Sequence, residues 1–240
     1  MTLDPKTKKY TVIKNSLALL EPVLALAVLS LIQLSGASLR IKGIASAITQ
    51  NRYGIIAIYA LLFGATYYVI TFYSGFYKDY VIEHRFGLST QQLSGWIKDE
   101  IKRVALSLVM FLVFIEFLYF LLDNSPALWW LHMTLGWLFL SVIVAKVMPV
   151  FILPLFFKSV PLADSDLKGR LMRLAKRCDI RILDVFKLHL SAKTKKANAA
   201  LVGMGRTRRV LLGDTLLDNY SKDEVEVVLA HELGHHKLFH

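Results

Sequence analysis

The stretch Leu128–Lys158, LWWLHMTLGWLFLSVIVAKVMPVFILPLFFK, divides the chain. Its first twenty residues are almost wholly apolar, enough for one helical crossing of a hydrocarbon core, which takes about 20 residues. Lys146 and then Pro149 and Pro154 interrupt the run. They predict a helix through the bilayer to about Met148, then a kinked continuation that leaves the membrane near Lys158. Trp129 and Trp130 stand where aromatic rings anchor a span at the interface.

Toward the N-terminus the same composition recurs. Leu17–Leu34, Tyr53–Tyr73 and Val104–Leu122 are each long and apolar enough to span, so Leu128–Phe157 is the last of four. The first follows Lys6, Lys8 and Lys9 and resembles a secretion signal, but its apolar part exceeds the usual 7 to 15 residues and reads as a retained anchor. The whole chain agrees: 55% of its 240 residues are hydrophobic and the mean hydropathy is +0.48, too apolar for a soluble domain of this size. A formal charge of +11 would suit a nucleic-acid binder only on a polar domain, and here the cations flank apolar runs. They read as topology and lipid contact, with no nucleic acid. The lone cysteine, Cys178, has no partner for an intrachain disulfide, which fits a reducing compartment.

Positive charge sets the orientation. Lys6, Lys8, Lys9 and Lys14 flank the first span, and Lys78, Arg85, Lys98, Lys102 and Arg103 lie between the second and third. The link Asp123–Ala127 after the third carries none. The basic segments are therefore expected on the cytoplasmic side, with four spans bringing the region after Lys158 back there. Arg40, Lys42 and Arg52 in the first link count against this. Glu21, Glu116 and Lys146, inside apolar stretches, require hydration or partners. Two readings stand: a water-filled intramembrane chamber, or a Glu116–Lys146 pair with Glu21 near an interface.

Beyond Lys158 the periodicities are those of a water-soluble α+β unit, giving a membrane domain over 1–158 and a second domain over 159–240. Asp164 or Ser165 can cap a helix whose Leu167, Leu171, Leu174 and Cys178 form one buried stripe. Ile182–Leu190, Asn198–Met204 and Arg209–Gly213 read as strands of a small sheet, with Gly203 and Gly205 marking a turn. Lys193, Lys195, Lys196, Arg206, Arg208 and Arg209 are read as solvated hairpin ends, with anionic lipid as the alternative.

Ser221-Lys222-Asp223-Glu224 is a capping box that opens a helix through Val225, Val228 and Leu229. That helix carries His231-Glu232-Leu233-Gly234-His235. Residues four apart share a helical face, so His231 and His235 can offer two imidazoles to one Zn2+ per chain. Glu232, one step round, can take a proton from a water whose pKa zinc lowers from about 16 toward roughly 7. Peptide-bond hydrolysis follows from that chemistry. His236 and His240 are also four apart but project from another sector, and read as supporting or surface residues.

With these residues in view, the chain resembles the integral-membrane CAAX prenyl protease type 1 zinc metallopeptidases. The likeness rests on Val81–Gln91, Pro154-Leu155-Phe156, Pro161-Leu162, Lys196–Ala199, Arg209–Leu216 and His231–Lys237, in that order and spacing. It implies zinc ligands at His231 and His235, a general base at Glu232, and an edge strand around Asn198 and Ala199 that holds extended substrate beside the metal. It also implies a third ligand beyond residue 240, so that the chain looks like the N-terminal portion of such a protein and is inactive alone. Two positions depart from the family: Lys196 and Ala197 stand where it has His and Ser, and it has one more span than the four counted here. The function expected is a membrane-embedded zinc endopeptidase acting on peptides or membrane proteins. The alternative is an inactive scaffold on the same fold.

Overall fold

A computed structural model describes residues 5–203 and 205–238. They form two compact units, residues 1–87 with 93–133 and residues 88–92 with 134–240. Four helices are long and apolar enough to cross a membrane, spanning Pro5–Leu34, Arg52–Arg85, Leu93–Asn124 and Trp129–Phe156. The protein is an integral multi-pass membrane protein.

The first three spans contain the expected runs and extend beyond them, whereas the fourth, Trp129–Phe156, lies just inside Leu128–Phe157. Helix α1 (Pro5–Leu34) begins among the N-terminal lysines, and α2 (Ala37–Ile48) follows a turn in which Gly36 takes φ +72°. Helix α3 (Arg52–Phe76) starts on an Asn51 cap and runs through a π-turn at Tyr77–Val81 into α4 (Ile82–Arg85). Helix α5 (Leu93–Asn124) has a polar first portion before its apolar run. Helix α6 (Trp129–Val147) gives way at Pro149 to a π-turn over Met148–Ile152, then to α7 (Leu153–Phe156). The kink expected from the two prolines is thus a π-turn. Helix α2 was not expected: Arg40, Lys42 and Gly43 interrupt its apolar residues, and its 12 residues rise only about 18 Å, too little to cross.

Charged groups in the first unit pair with one another. Lys78 bonds Glu21 at 2.6 Å, Lys14 bonds Glu83 at 2.7 Å, and Arg103 reaches both Asp79 and Glu100. Glu21 therefore has a definite cationic partner. Glu116 instead carries a buried Oε2 with no hydrogen-bond partner among the described residues. At the other end of this unit Arg52 bonds Asp123 at 2.6 Å. That pair puts the first link and the Asp123–Ala127 link at the same end, as four crossings require.

The second unit is built on a four-stranded mixed sheet. Strands β1 (Ser159–Pro161), β2 (Asp184–Leu188), β3 (Ala199–Val202) and β4 (Arg209–Gly213) lie in the order β1-β2-β4-β3. Only β2 and β4 are parallel. Strand β1 escaped the sequence reading because it has three residues and ends in Pro161. Helix α8 (Ser165–Arg177) starts where Asp164 accepts the Leu167 N–H at 3.0 Å, and its Leu167, Leu171 and Ala175 are buried. Helix α9 (Asp214–Leu217) leads to α10 (Lys222–Leu238).

Strand alternation sorts the sheet into two faces. Val185, Ala199, Val210 and Leu212 share a core with the buried residues of α8 and α10, while Leu188 and Leu211 pack with Leu153, Phe157 and Val202 on the other side. Gly203, at φ +89°, makes the turn after β3, where a Cβ would lie 2.6 Å from the Thr207 carbonyl oxygen.

Candidate active site

Helix α10 buries Val225, Leu229 and Leu233, one residue per turn, against the sheet and α8. That stripe fixes the helix's rotation and leaves His231 and His235 on an exposed face, with Glu232 half-buried between. The first turn is held by the expected capping box: the Ser221 N–H donates to Glu224 Oε2 at 2.8 Å, and the Glu224 N–H donates to Ser221 Oγ at 3.4 Å. The Ser221 backbone and hydroxyl donors hold the Glu224 carboxyl below its usual range. Arg170 on α8 reaches Glu226, at 2.6 Å, and Asp223, tying the two helices together.

The two imidazoles meet. His231 Nε2 and His235 Nε2 are 2.9 Å apart, with ring planes at 84°. Two ring nitrogens that close must share a proton or a cation. Zn–N bonds of about 2.0–2.1 Å at tetrahedral angles place their nitrogens about 3.3 Å apart, which a small rotation of either ring supplies. The donor set therefore fits zinc. Among the described residues no third His, Cys, Asp or Glu joins this pair. His240 lies outside the described residues, as does the side chain of His236.

Asn198 and Ala199 are the other residues expected at the site. Strand β3 lies at the edge of the sheet and packs beside α10. Asn198 is exposed and its carbonyl accepts the Gly213 N–H at 2.9 Å, whereas the Ala199 side chain is buried in the core. Ala199 can offer a ligand only its backbone. Because Asn198 and Gly213 form a hydrogen-bonded pair, antiparallel alternation turns the N–H and C=O of Ala199 and Leu201 away from β4, toward the open edge.

Asp214 was missed by the sequence reading. It is 3% exposed, yet its carboxylate accepts from the Leu190, Ser191 and Thr215 backbone N–H groups and from the Ser191 hydroxyl, at 2.6–2.9 Å. Burial pushes this carboxyl up, but the donors, led by the Ser191 hydroxyl, outweigh it and hold the group below its usual range. Thr215 Oγ1 donates to the Lys196 carbonyl at 2.8 Å, so the corner after β4 grips both ends of the 190–196 loop that leads into β3. Leu88–Gln92 holds the same loop, with Thr90 N–H donating to Lys193 O and Lys195 N–H to Leu88 O. Of the basic group, Lys193 sits 4.5 Å from the Phe157 ring centre and Arg209 5.1 Å from that of Phe186.

Comparison with known proteins places this arrangement. Residues 5–158 match a family described as CAAX prenyl protease N-terminal, five membrane helices, and residues 161–240 match peptidase family M48. The chain is 32% identical over 168 residues to CAAX prenyl protease 1 of Saccharomyces cerevisiae, covering 69% of this chain and 37% of that protein. It is also 32% identical to the CAAX prenyl protease 1 homolog of Arabidopsis thaliana, over 68% of this chain and 39% of that one. An uncharacterized metalloprotease of Bacillus subtilis, YhfN, is 29% identical over 67% of this chain and 38% of its own length. The chain thus spans about two fifths of these relatives. The crystal structure of S. mikatae Ste24p superposes with a TM-score of 0.85 at 24% identity, covering 98% of this chain and 57% of that one, so the fold is the same. The protein belongs to the CAAX prenyl protease family of M48 metallopeptidases.

Proposed function

We propose that this chain supplies the membrane domain, over 1–158, and the metal-binding helix, within 159–240, of a membrane-embedded zinc endopeptidase acting on peptides or membrane proteins. The observation that carries this reading is the 2.9 Å approach of His231 Nε2 to His235 Nε2, with Glu232 between them on the helix that packs beside the edge strand. One zinc per chain would be held by His231, His235 and a ligand from beyond the described residues; when bound it polarises the scissile carbonyl and acidifies water. Glu232 then takes a proton from the attacking water and passes it to the leaving amine. An extended peptide adds to β3 through the outward backbone groups of Ala199 and Leu201, beside the exposed Asn198. No observation favours an inactive scaffold.

The test compares residues 1–240 with the protein extended past residue 240, with prenylated CAAX peptides as the first substrates, given the relatives' names. In the extended protein Glu232→Gln is expected to lose peptidase activity about a thousandfold or more while zinc stays near one per chain, because the base is not a ligand. His231→Ala should lose both. Residues 1–240 alone should shed zinc on dialysis. Wild-type turnover in Glu232→Gln, or stoichiometric zinc and full activity in residues 1–240, would overturn the mechanism.

We also propose that the 159–240 region faces the cytoplasm. With Cys178 replaced, a cysteine at Asn124 should react with an impermeant thiol reagent from outside, while one at Ser191 should be protected until the membrane is opened. The opposite labelling inverts the orientation.

A further inference from the structure

A cavity of about 660 Å3 opens between α2, α3 and α5, at the end of the membrane bundle that carries the Thr49–Asn51 link. Ile56, Ala60 and Phe63 of α3 and Phe111 and Ile115 of α5 form apolar walls. Ser38 Oγ and Tyr59 OH, also in the wall, hydrogen-bond each other at 2.9 Å, and Gln50 and Tyr119 are the remaining uncharged polar residues of the lining. The rim is different: Lys42 and Arg52 line it, both exposed. Arg52 bonds Asp123 at 2.6 Å, which neutralises one of the two cations, and Lys42 has no ion pair among the described residues. The rim keeps a net positive charge.

Length narrows the occupant. From Arg52 at the rim to Phe63 in the wall, α3 rises about 16 Å, close to half of a hydrocarbon core about 30 Å thick. The cavity is therefore about one leaflet deep, cationic at the level where headgroups lie and apolar below. Small apolar ligands need no rim charge, and soluble anions gain nothing from the walls. A molecule with a phosphate and a long chain uses both.

We propose that this cavity binds one anionic phospholipid, with its phosphate at Lys42 and Arg52 and an acyl chain against Ala60 and Phe63. The inference does not rest on the protease reading.

The test is native mass spectrometry of the delipidated 240-residue chain titrated with dioleoyl phosphatidylglycerol and, separately, dioleoyl phosphatidylcholine. One phosphatidylglycerol per chain is expected to be retained in preference to phosphatidylcholine. Lys42→Gln should cut phosphatidylglycerol retention about fivefold, the effect of one cation near a headgroup, and phosphatidylcholine retention less, because its choline already offsets the phosphate charge. Ala60→Phe and, from the neighbouring turn, Ile56→Trp fill the cavity and should lower retention of both lipids. Helix content and melting identify any variant that fails to fold, and the other filling variant then decides. Equal retention of the two lipids by the wild-type chain, no effect of Lys42→Gln, or full retention in a folded filling variant would each overturn the proposal. So would binding of glycerophosphate as tight as that of phosphatidylglycerol. A photo-crosslinker placed at Phe111 in the extended protein should label lipid; labelling of a protein segment or a second copy instead would also overturn it.

Discussion

Leucine behaves in opposite ways in the two units. In the membrane bundle Leu19 and Leu26 are 74% and 67% exposed, whereas Leu171, Leu212, Leu229 and Leu233 of the sheet unit are 0% exposed. Polar groups diverge too. In the bundle, charged side chains answer one another, as Lys78 answers Glu21, while in the sheet unit the buried Asp214 is answered mainly by backbone N–H groups. The solvent explains both. Lipid is as apolar as Leu and exerts no hydrophobic drive to bury it, but it cannot hydrate an ion, so charges must find partners. Water reverses the first condition, and the sheet unit needs a closed core around which its loops are pinned.

Core truncation tests that contrast most strongly. Leu212→Ala, which empties space between the sheet and its helices, is expected to destabilise the second unit by about 2–5 kcal/mol, while Leu26→Ala should change stability by less than about 0.5 kcal/mol. Hydrogen exchange in micelles reads each unit separately, through the β4 amides and the α1 amides. Similar losses in both would show that Leu26 packs against protein rather than lipid.

Whether a feature could be read from the sequence follows the range of the interaction that makes it. The four spans need only composition over about 20 residues, and His231 with His235 needs only the i, i+4 rule, so both were visible. Strand β4 coincides with the expected Arg209–Gly213 because every residue from Val210 to Gly213 is buried, which compresses the signal into a continuous apolar run. Strand β2 was expected four residues too long, over Ile182–Leu190. Its ends are set by the short β1 on one side and β4 on the other, which no local pattern encodes. Helix α2 was hidden by Arg40 and Lys42, both exposed, which interrupt its apolar residues without ending the helix. Asp214 was invisible as a structural centre, because its partners Leu190 and Ser191 lie 24 and 23 residues away. The docking of Leu88–Gln92 onto the 191–195 loop spans more than 100 residues.

Asp214 tests the polar half of the comparison with a smaller effect. Asp214→Asn keeps the shape but puts an amide donor among groups that are themselves donors, and should cost the sheet unit about 1–3 kcal/mol. The sign with pH is set by the direction of the shift. The folded-state carboxyl lies below its unfolded value, so its contribution is fully present above the unfolded pKa of about 3.9 and is lost as pH falls through the lower folded value. Asp214→Asn should therefore make the acid limb of the melting profile shallower, leaving the part that Glu224 and the other depressed carboxylates contribute. An unchanged acid limb would mean that the carboxylate's hydrogen bonds are not what ties the 190–196 loop down.

The smallest effect separates the stability of α10 from the chemistry it carries. At the capping box two of the three hydrogen bonds end on Glu224 Oε2, both at 2.8 Å, while Ser221 Oγ accepts from the Glu224 N–H at 3.4 Å. Ser221→Ala removes the hydroxyl in both its roles but leaves the Ser221 N–H to the carboxylate, so the loss should fall toward the low end for a helix cap, about 0.5–1 kcal/mol. From Ser221 to His231 the helix rises about 15 Å, and Val225 and Leu229, both buried, hold the turns between. Fraying at the first turn should therefore stop before it reaches the imidazoles. The expected result in the extended protein is a slightly lower melting temperature with zinc content and turnover unchanged. If Ser221→Ala instead reduced zinc per chain, the buried stripe would not be holding the helix on its own. The capping box would then have to be counted among the groups that position His231 and His235.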